Sequence, residues 1–186
     1  YIGGGTPSLC SADEINRILE KVFSNYDVSS GAEITLEANP DDITKEKSGE
    51  WKNTGINRLS IGIQSFYDDE LRWMNRAHTA EAAIDSLSLA TRDFNNISVD
   101  LIYGLPVSTS EKWKQNVERT IAFGIPHLSC YALTVEPKTP LHKLIQLKKA
   151  EDVSADRQSE QFLLLMQWMA RAGYEHYEIS NFCKPN

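Results

Sequence analysis

The sequence has few of the features that mark the common classes of catalytic or binding site. Its three cysteines, Cys10, Cys130 and Cys183, are far apart and odd in number, which argues against a disulfide framework and favours reduced thiols with packing roles. None of its four histidines pairs with another at zinc-ligand spacing. The glycines at 3–5 match neither the GxGxxG dinucleotide fingerprint nor the Gly-Lys-Ser/Thr of a phosphate-binding loop.

Basic charge and long apolar runs are also scarce. The 19 Lys and Arg residues are outnumbered by 26 Asp and Glu, giving a net charge of -7, and we therefore expect no nucleic-acid partner. We expect no transmembrane segment and a cytoplasmic location, because no apolar run could cross a bilayer and no signal-peptide pattern opens the chain. The sequence begins in what resembles a strand end, so we interpret it as a piece of a longer protein.

Strands and helices alternate along the chain. Strands are predicted at 33–38, 57–64, 97–103, 127–133 and 174–180, and the main helices at 12–24, 43–54, 79–90, 110–123 and 155–172. Repeated strand–helix units predict an α/β fold with parallel strands and right-handed crossovers. We expect residues 1–186 to form a single incomplete domain.

The first strands are two-faced, which distinguishes between two α/β architectures. Alternation places Leu36, Ile61 and Val99 on apolar faces, whereas Glu37 and Asp100 lie on the opposite, polar faces. An open doubly wound sheet buries both faces against helices, so both should be apolar. A complete eightfold barrel needs ~250 residues. The pattern therefore predicts a partial (β/α) barrel with helices outside and a ligand cavity inside.

Four polar residues near predicted strand ends are candidate ligand contacts. Glu37 can accept from hydroxyl or amine groups, although a solvated loop edge is the alternative. Gln64 can both donate and accept, and Asp100 is flanked by apolar residues and should be buried with partners. The guanidinium of Arg76 suits a carboxylate, although a surface ion pair with the aspartates at 68–69 is equally compatible with the sequence.

Taken together, several segments resemble one family, the radical S-adenosylmethionine proteins of the oxygen-independent coproporphyrinogen oxidase and haem chaperone group. The segments are GGGTPSL, EITLEANPDD, GINRLSIGIQSF, MNRAH, VDLIYGLP, YALTVEPKTPL and GYEHYEISNF. They occur in order and cover nearly the whole chain. YALTVEPKT is more similar to the haem chaperone branch, because the oxidase branch tends to have an Asn-Tyr-Ala-His pattern at this point.

The resemblance implies a partial (β/α)6 barrel that holds a [4Fe–4S] cluster and S-adenosylmethionine at its open end. Its motifs assign the methionine end of S-adenosylmethionine to backbone groups of Gly4, Gly5 and Thr6. The other cofactor contacts that it implies, which in the oxidases include a second cofactor molecule, are Glu37, Gln64, Arg76, Asp100 and, as a weaker match, Thr134.

The sequence departs from the family pattern at the cluster. The family's CxxxCxxC motif precedes GGGTP and is absent from these 186 residues, and the three cysteines present cannot replace it. We therefore expect no metal ligands and no radical chemistry from this chain alone. The haem-associated His-Asn…Tyr-Trp stretch of the chaperone branch, expected beyond Asn186, is also missing.

Three functions remain open from the sequence. The first is a haem chaperone that delivers haem to a respiratory protein. The second is an oxygen-independent coproporphyrinogen III oxidase that decarboxylates propionate side chains. The third is a non-catalytic barrel domain that binds a small ligand.

Overall fold

A computed structural model describes residues 1–185. Within them a six-stranded sheet has the order β1-β2-β3-β4-β6-β5. Its strands are β1 (Thr35–Ala38), β2 (Arg58–Gln64), β3 (Ile97–Tyr103), β4 (His127–Ala132), β5 (Glu175–His176) and β6 (Asn181–Cys183). The helices are α1 (Ala12–Asn25), α2 (Lys45–Asn53), α3 (Asp68–Trp73), α4 (Ala80–Asp93), α5 (Ser110–Ala122), α6 (Pro140–Gln146) and α7 (Ala155–Arg171).

The first four strands pair in parallel, which confirms the expected α/β fold class. Their outward faces pack against the helices and are almost completely buried; this group includes Leu36, Leu59, Ile61, Ile63, Val99 and Leu101. Burial of each such side chain stabilises the fold by about 1.5–3 kcal/mol. The opposite faces carry the polar residues, as the alternation predicted.

The ends of the helices follow the capping signals in the sequence. The Ser11 hydroxyl accepts from the Glu14 amide, while the Glu14 side chain accepts from the Ser11 amide, so the two residues form a capping box at the start of α1. Only part of the apolar stripe of α1 is in the core: Ile15 and Leu19 are buried. The other three stripe residues, Ile18, Val22 and Phe23, are exposed.

The prediction of one strand over 174–180 is wrong. The chain instead reverses between two short strands, and β6 pairs antiparallel with both β4 and β5. The Glu178 carboxylate stabilises this reversal, because it accepts from the Ser180 amide at 3.2 Å and from the Asn181 side chain at 2.6 Å. The parallel order therefore ends at β4.

The connection between β4 and α7 contains the short helix α6. Its start is marked by Thr139, whose hydroxyl accepts from the His142 amide at 3.2 Å, and by Pro140 in the first turn. In the described part of the chain, no helix combines the length and apolarity that crossing a membrane requires.

Candidate functional site

A polar cavity of about 230 Å³ lies on the inner face of the sheet, toward the carboxyl ends of β1–β3. It is lined by Gly5, Thr6, Pro7, Ser8, Glu37, Ala38, Asn39, Ser60, Gly62, Gln64, Arg76 and Asp100. Six of the eight residues that the sequence nominated are among them. Parallel strands bring their carboxyl ends to one edge, so residues distant in the chain meet there.

Glu37 is held against the glycine turn at the start of the chain. One of its carboxylate oxygens accepts from the Tyr1 hydroxyl at 2.9 Å, and the other accepts from the Gly4 amide at 3.1 Å. A Cβ on Gly3 would lie 2.8 Å from the Glu37 carboxyl carbon. The absence of a side chain at this position therefore allows the turn to approach the acid closely.

Gln64 ends β2 in an unusual backbone conformation. Its φ is 65°, and the register between β2 and β3 shifts between Ile61 and Gln64. The side chain lies over Gly62, where a Cβ would be only 2.9 Å from Gln64 Nε2. The strand therefore ends in a tight turn that holds the amide over its own backbone.

Arg76 lies beside Gln64 and also contacts Gly62. One guanidinium nitrogen donates to the Gly62 carbonyl at 3.5 Å and would be 3.3 Å from a Cβ on that glycine. The alternative of a surface ion pair with Asp68 or Asp69 does not occur: Asp69 pairs with Lys112, while Asp68 accepts from the Ala80 amide.

Asp100 supplies the second acid of the cavity. Burial raises the pKa of its carboxyl group from 3.8 to about 6, and the neighbouring charge of Glu37 adds to the rise. The neighbouring Ser129 side chain lowers the pKa, as do the positive charges of Arg58 and Arg76. Asp100 can therefore change its protonation state near neutral pH.

Two nominated residues do not line the cavity. Gly4 has a φ of 81° and directs its amide to Glu37 instead. Thr134 follows β4 in an exposed connection. The cavity also includes polar residues that were not nominated, Ser8, Asn39 and Ser60. Strand alternation could have nominated Ser60, whereas no local pattern indicates Ser8.

The charges suit a small ligand that carries both ammonium or hydroxyl groups and a carboxylate. The acids can accept from the former, and Arg76 can pair with the latter. The cysteines do not fit an iron–sulfur cluster: all three are free thiols, and residues 1–185 contain no group of three His, Cys, Asp or Glu placed to hold a metal.

Comparison with known proteins gives consistent matches. The chain is 36% identical over 186 residues to the protein named heme chaperone HemW of Lactococcus lactis, with all of this chain and 49% of that protein aligned. The Bacillus subtilis protein of the same name is also 36% identical, over 99% of this chain and 49% of its own length. The chain spans about half the length of the curated relatives it matches.

A solved structure gives a close match of fold. Coproporphyrinogen III oxidase HemN of Escherichia coli, described as a radical SAM enzyme, superposes with a TM-score of 0.84 at 26% identity. The alignment covers 99% of this chain and 42% of that one. These relatives belong to the group that the sequence motifs resembled, and the expected family is confirmed. Residues 1–120 match the family model of the radical SAM superfamily, whose members use S-adenosylmethionine and a [4Fe–4S] cluster, and the chain belongs to that superfamily.

Proposed function

We propose that the cavity at the ends of β1–β3 binds S-adenosylmethionine. Glu37, Gln64, Arg76 and Asp100 offer two carboxyl groups, an amide and a guanidinium around one hollow. The ligand carries an ammonium group, a carboxylate and ribose hydroxyls, and each has a complementary partner in this set. This convergence of four polar side chains is the observation that carries the proposal.

The shape of the cavity supports the same ligand. At Gly62 the strand has no side chain, and a methyl group there would collide with the Gln64 amide. Gly5 and Thr6 bring backbone groups to the other side of the hollow. Bound S-adenosylmethionine supplies radical chemistry when a cluster is beside it; the residues present here bind and orient it. Thr134, in the exposed connection after β4, lies outside this set.

We propose further that the whole protein is a haem chaperone that delivers haem to a respiratory protein. Relatives named heme chaperone HemW align over 99–100% of the chain at 32–36% identity. The YALTVEPKT stretch supports the same branch.

Cofactor affinity in the whole protein, with its cluster reconstituted under anaerobic conditions, tests the site. We expect Glu37→Ala and Arg76→Ala each to weaken S-adenosylmethionine binding about tenfold or more in calorimetry, because each removes a charged partner. Glu20→Ala and Arg92→Ala, which change exposed residues on α1 and α4, are matched controls. Unchanged affinity in both cavity variants would remove these residues from the site.

A second candidate function, coproporphyrinogen III oxidase, is favoured by the TM-score of 0.84 with that enzyme. Two measurements on the whole protein separate the candidates. A haem chaperone should shift the Soret band of added haem and leave porphyrinogen propionates intact. An oxidase should release carbon dioxide from coproporphyrinogen III, and this result would overturn the chaperone proposal.

A further inference from the structure

Three buried polar side chains pack around the turn that follows β2, next to the cavity but outside its lining. They are Ser65 in the turn, Glu70 on α3 and Asn116 on α5, and each is no more than 1% exposed. We name this group the buried triad. None of its members lines the cavity.

The buried triad is joined by hydrogen bonds that leave little freedom to the turn. The Ser65 hydroxyl donates to one carboxyl oxygen of Glu70, and the Asn116 amide donates to the same oxygen at 3.1 Å. The Asn116 carbonyl oxygen accepts from the Phe66 amide at 2.8 Å. The Ser65 oxygen also accepts from the Tyr67 amide at 3.0 Å. Both backbone amides after Ser65 are therefore held by triad side chains.

The residue immediately before this turn is Gln64, whose φ of 65° is a conformation that non-glycine residues avoid. Such a conformation persists only where the surrounding structure enforces it. The buried triad fixes the backbone on one side of Gln64. On the other side, the buried His78 ring contacts the Ile63 carbonyl at 3.0 Å. Contacts on both sides of Gln64 in the chain therefore fix the direction in which its side chain lies over Gly62.

The energetics of the buried triad do not favour a purely stabilising role. The second carboxyl oxygen of Glu70 is buried without a hydrogen-bond partner among the described residues. A buried polar network with an unsatisfied member is less stabilising than a well-packed apolar one. An apolar trio of similar volume would pack α3 against α5 without this cost, but it would not hold the two amides of the turn.

We infer that Glu70 and Asn116 are positioning residues for S-adenosylmethionine, acting through Ser65 on the orientation of Gln64. The inference rests on the proposed function of the cavity. The buried triad connects α3 and α5 to the ligand site, although neither Glu70 nor Asn116 touches the ligand. Arg76 is affected less directly, since it follows α3 and its amide donates to the Leu71 carbonyl at 2.9 Å.

The donor and acceptor pattern allows a transposition test. Asn116→Asp places a carboxyl oxygen against the Glu70 carboxyl group and removes a donor. The hydrogen bonds that fix the turn should therefore weaken. Adding Glu70→Gln again gives a pair of one amide and one carboxyl group, now with the two positions exchanged. The new carboxyl group on α5 can still accept from the Phe66 amide. We expect Asn116→Asp to weaken S-adenosylmethionine binding about tenfold or more, as displaced supporting residues commonly do. The double variant should recover to within about threefold of wild type.

A serine pair separates positioning from loss of stability. Ser65→Ala removes a triad hydroxyl, and Ser48→Ala removes another buried hydroxyl, which donates at 2.5 Å to Asp93 between α2 and α4. We expect both to lower the thermal midpoint, but only Ser65→Ala to weaken binding. If Asn116→Asp fails to fold, the comparison of Ser65→Ala with Ser48→Ala still tests the positioning role.

Calorimetric affinity and thermal midpoints are measured on the whole reconstituted protein. Wild-type affinity in a folded Asn116→Asp variant, or equal affinities in the serine pair, would overturn the positioning role. So would a double variant that regains stability without regaining affinity. If the wild-type protein itself bound no S-adenosylmethionine, the proposed function of the cavity would fail instead, which is a distinguishable result.

Discussion

Asp100 and Ser129 are partners in the parallel register of β3 and β4, and the polar Ser129 side chain favours the ionised form of the Asp100 carboxyl group. This effect lowers the pKa of the acid, but burial outweighs it and raises the pKa to about 6. The stability of the protein should consequently depend on pH through Asp100.

Replacement of Asp100 by Asn should stabilise the protein above neutral pH. The pKa of Asp100 in the folded protein exceeds the ordinary value of 3.8. The contribution of this acid to folding stability is therefore fully present below pH 3.8 and is lost as the pH rises through about 6. At 1.36 kcal/mol per pKa unit, the loss approaches about 3 kcal/mol. Urea titrations should show a gain of that order near pH 8 that vanishes near pH 4. A gain that is independent of pH would contradict the shifted pKa.

Ser129→Ala serves as the complementary variant. Without the neighbouring hydroxyl, the pKa of Asp100 should rise further. The stability lost above neutral pH should then exceed that of the wild type. A smaller dependence on pH in this variant would show that Ser129 does not lower the pKa of the acid.

Gly62→Ala should reduce ligand binding with little loss of fold. The new methyl group would lie 2.9 Å from Gln64 Nε2 and 3.3 Å from the Arg76 guanidinium, so both side chains must move. We expect affinity for S-adenosylmethionine to fall about tenfold or more, since displaced polar groups no longer match the ligand. Gly49→Ala on α2, where nothing lies within 4 Å, is the matched control and should retain affinity.

Gly104→Ala should destabilise the protein through a collision outside the cavity. Gly104 has a φ of 79°, and its added Cβ would lie 2.9 Å from Gln158 Nε2 on α7 and closer still to Gln158 Cγ. Gly124 has a similar φ of 73° with nothing within 4 Å, so Gly124→Ala isolates the backbone strain of about 1–3 kcal/mol. In thermal melts Gly104→Ala should lose clearly more stability than Gly124→Ala. Equal losses would mean that Gln158 moves aside without cost.

His127 should titrate below its ordinary pKa of 6.5. Burial lowers the pKa of the imidazole, and the nearby Arg58 charge lowers it further, whereas Glu33 opposes the shift. Its two ring nitrogens contact the Ser98 and Tyr177 hydroxyls, both at 2.7 Å. Folding therefore favours the neutral ring, and this contribution to stability is lost as the pH falls. An NMR titration that gave a pKa of 6.5 or above would refute this.

The two faces of β1–β3 could be predicted from the sequence because alternation in a strand is a local property. Leu36 and Leu59 had to face the helices, and Glu37 and Asp100 had to face inward. The bounds of β3 were predicted to the residue, since Ile97–Tyr103 is a long and strongly patterned strand.

Other features depend on contacts that no local pattern encodes. The left-handed φ of Gln64 precedes a turn whose Phe66 amide donates to Asn116, 50 positions further along the chain. The reversal at Glu178 replaced a strand that tyrosine and isoleucine favoured. A helical stripe likewise does not reveal how much of it is covered: Phe23 lies on the apolar stripe of α1 and is exposed.

The hairpin after α7 limits strand pairing at one margin of the sheet formed by the described residues. β5, at one margin of the sheet, is only two residues long, and both of them, Glu175 and His176, are exposed and polar. Short, polar margins give a neighbouring chain too few free amides and carbonyls to extend a ladder. A longer and more apolar strand in the place of β5 would offer a neighbouring chain a template for fibrous aggregation.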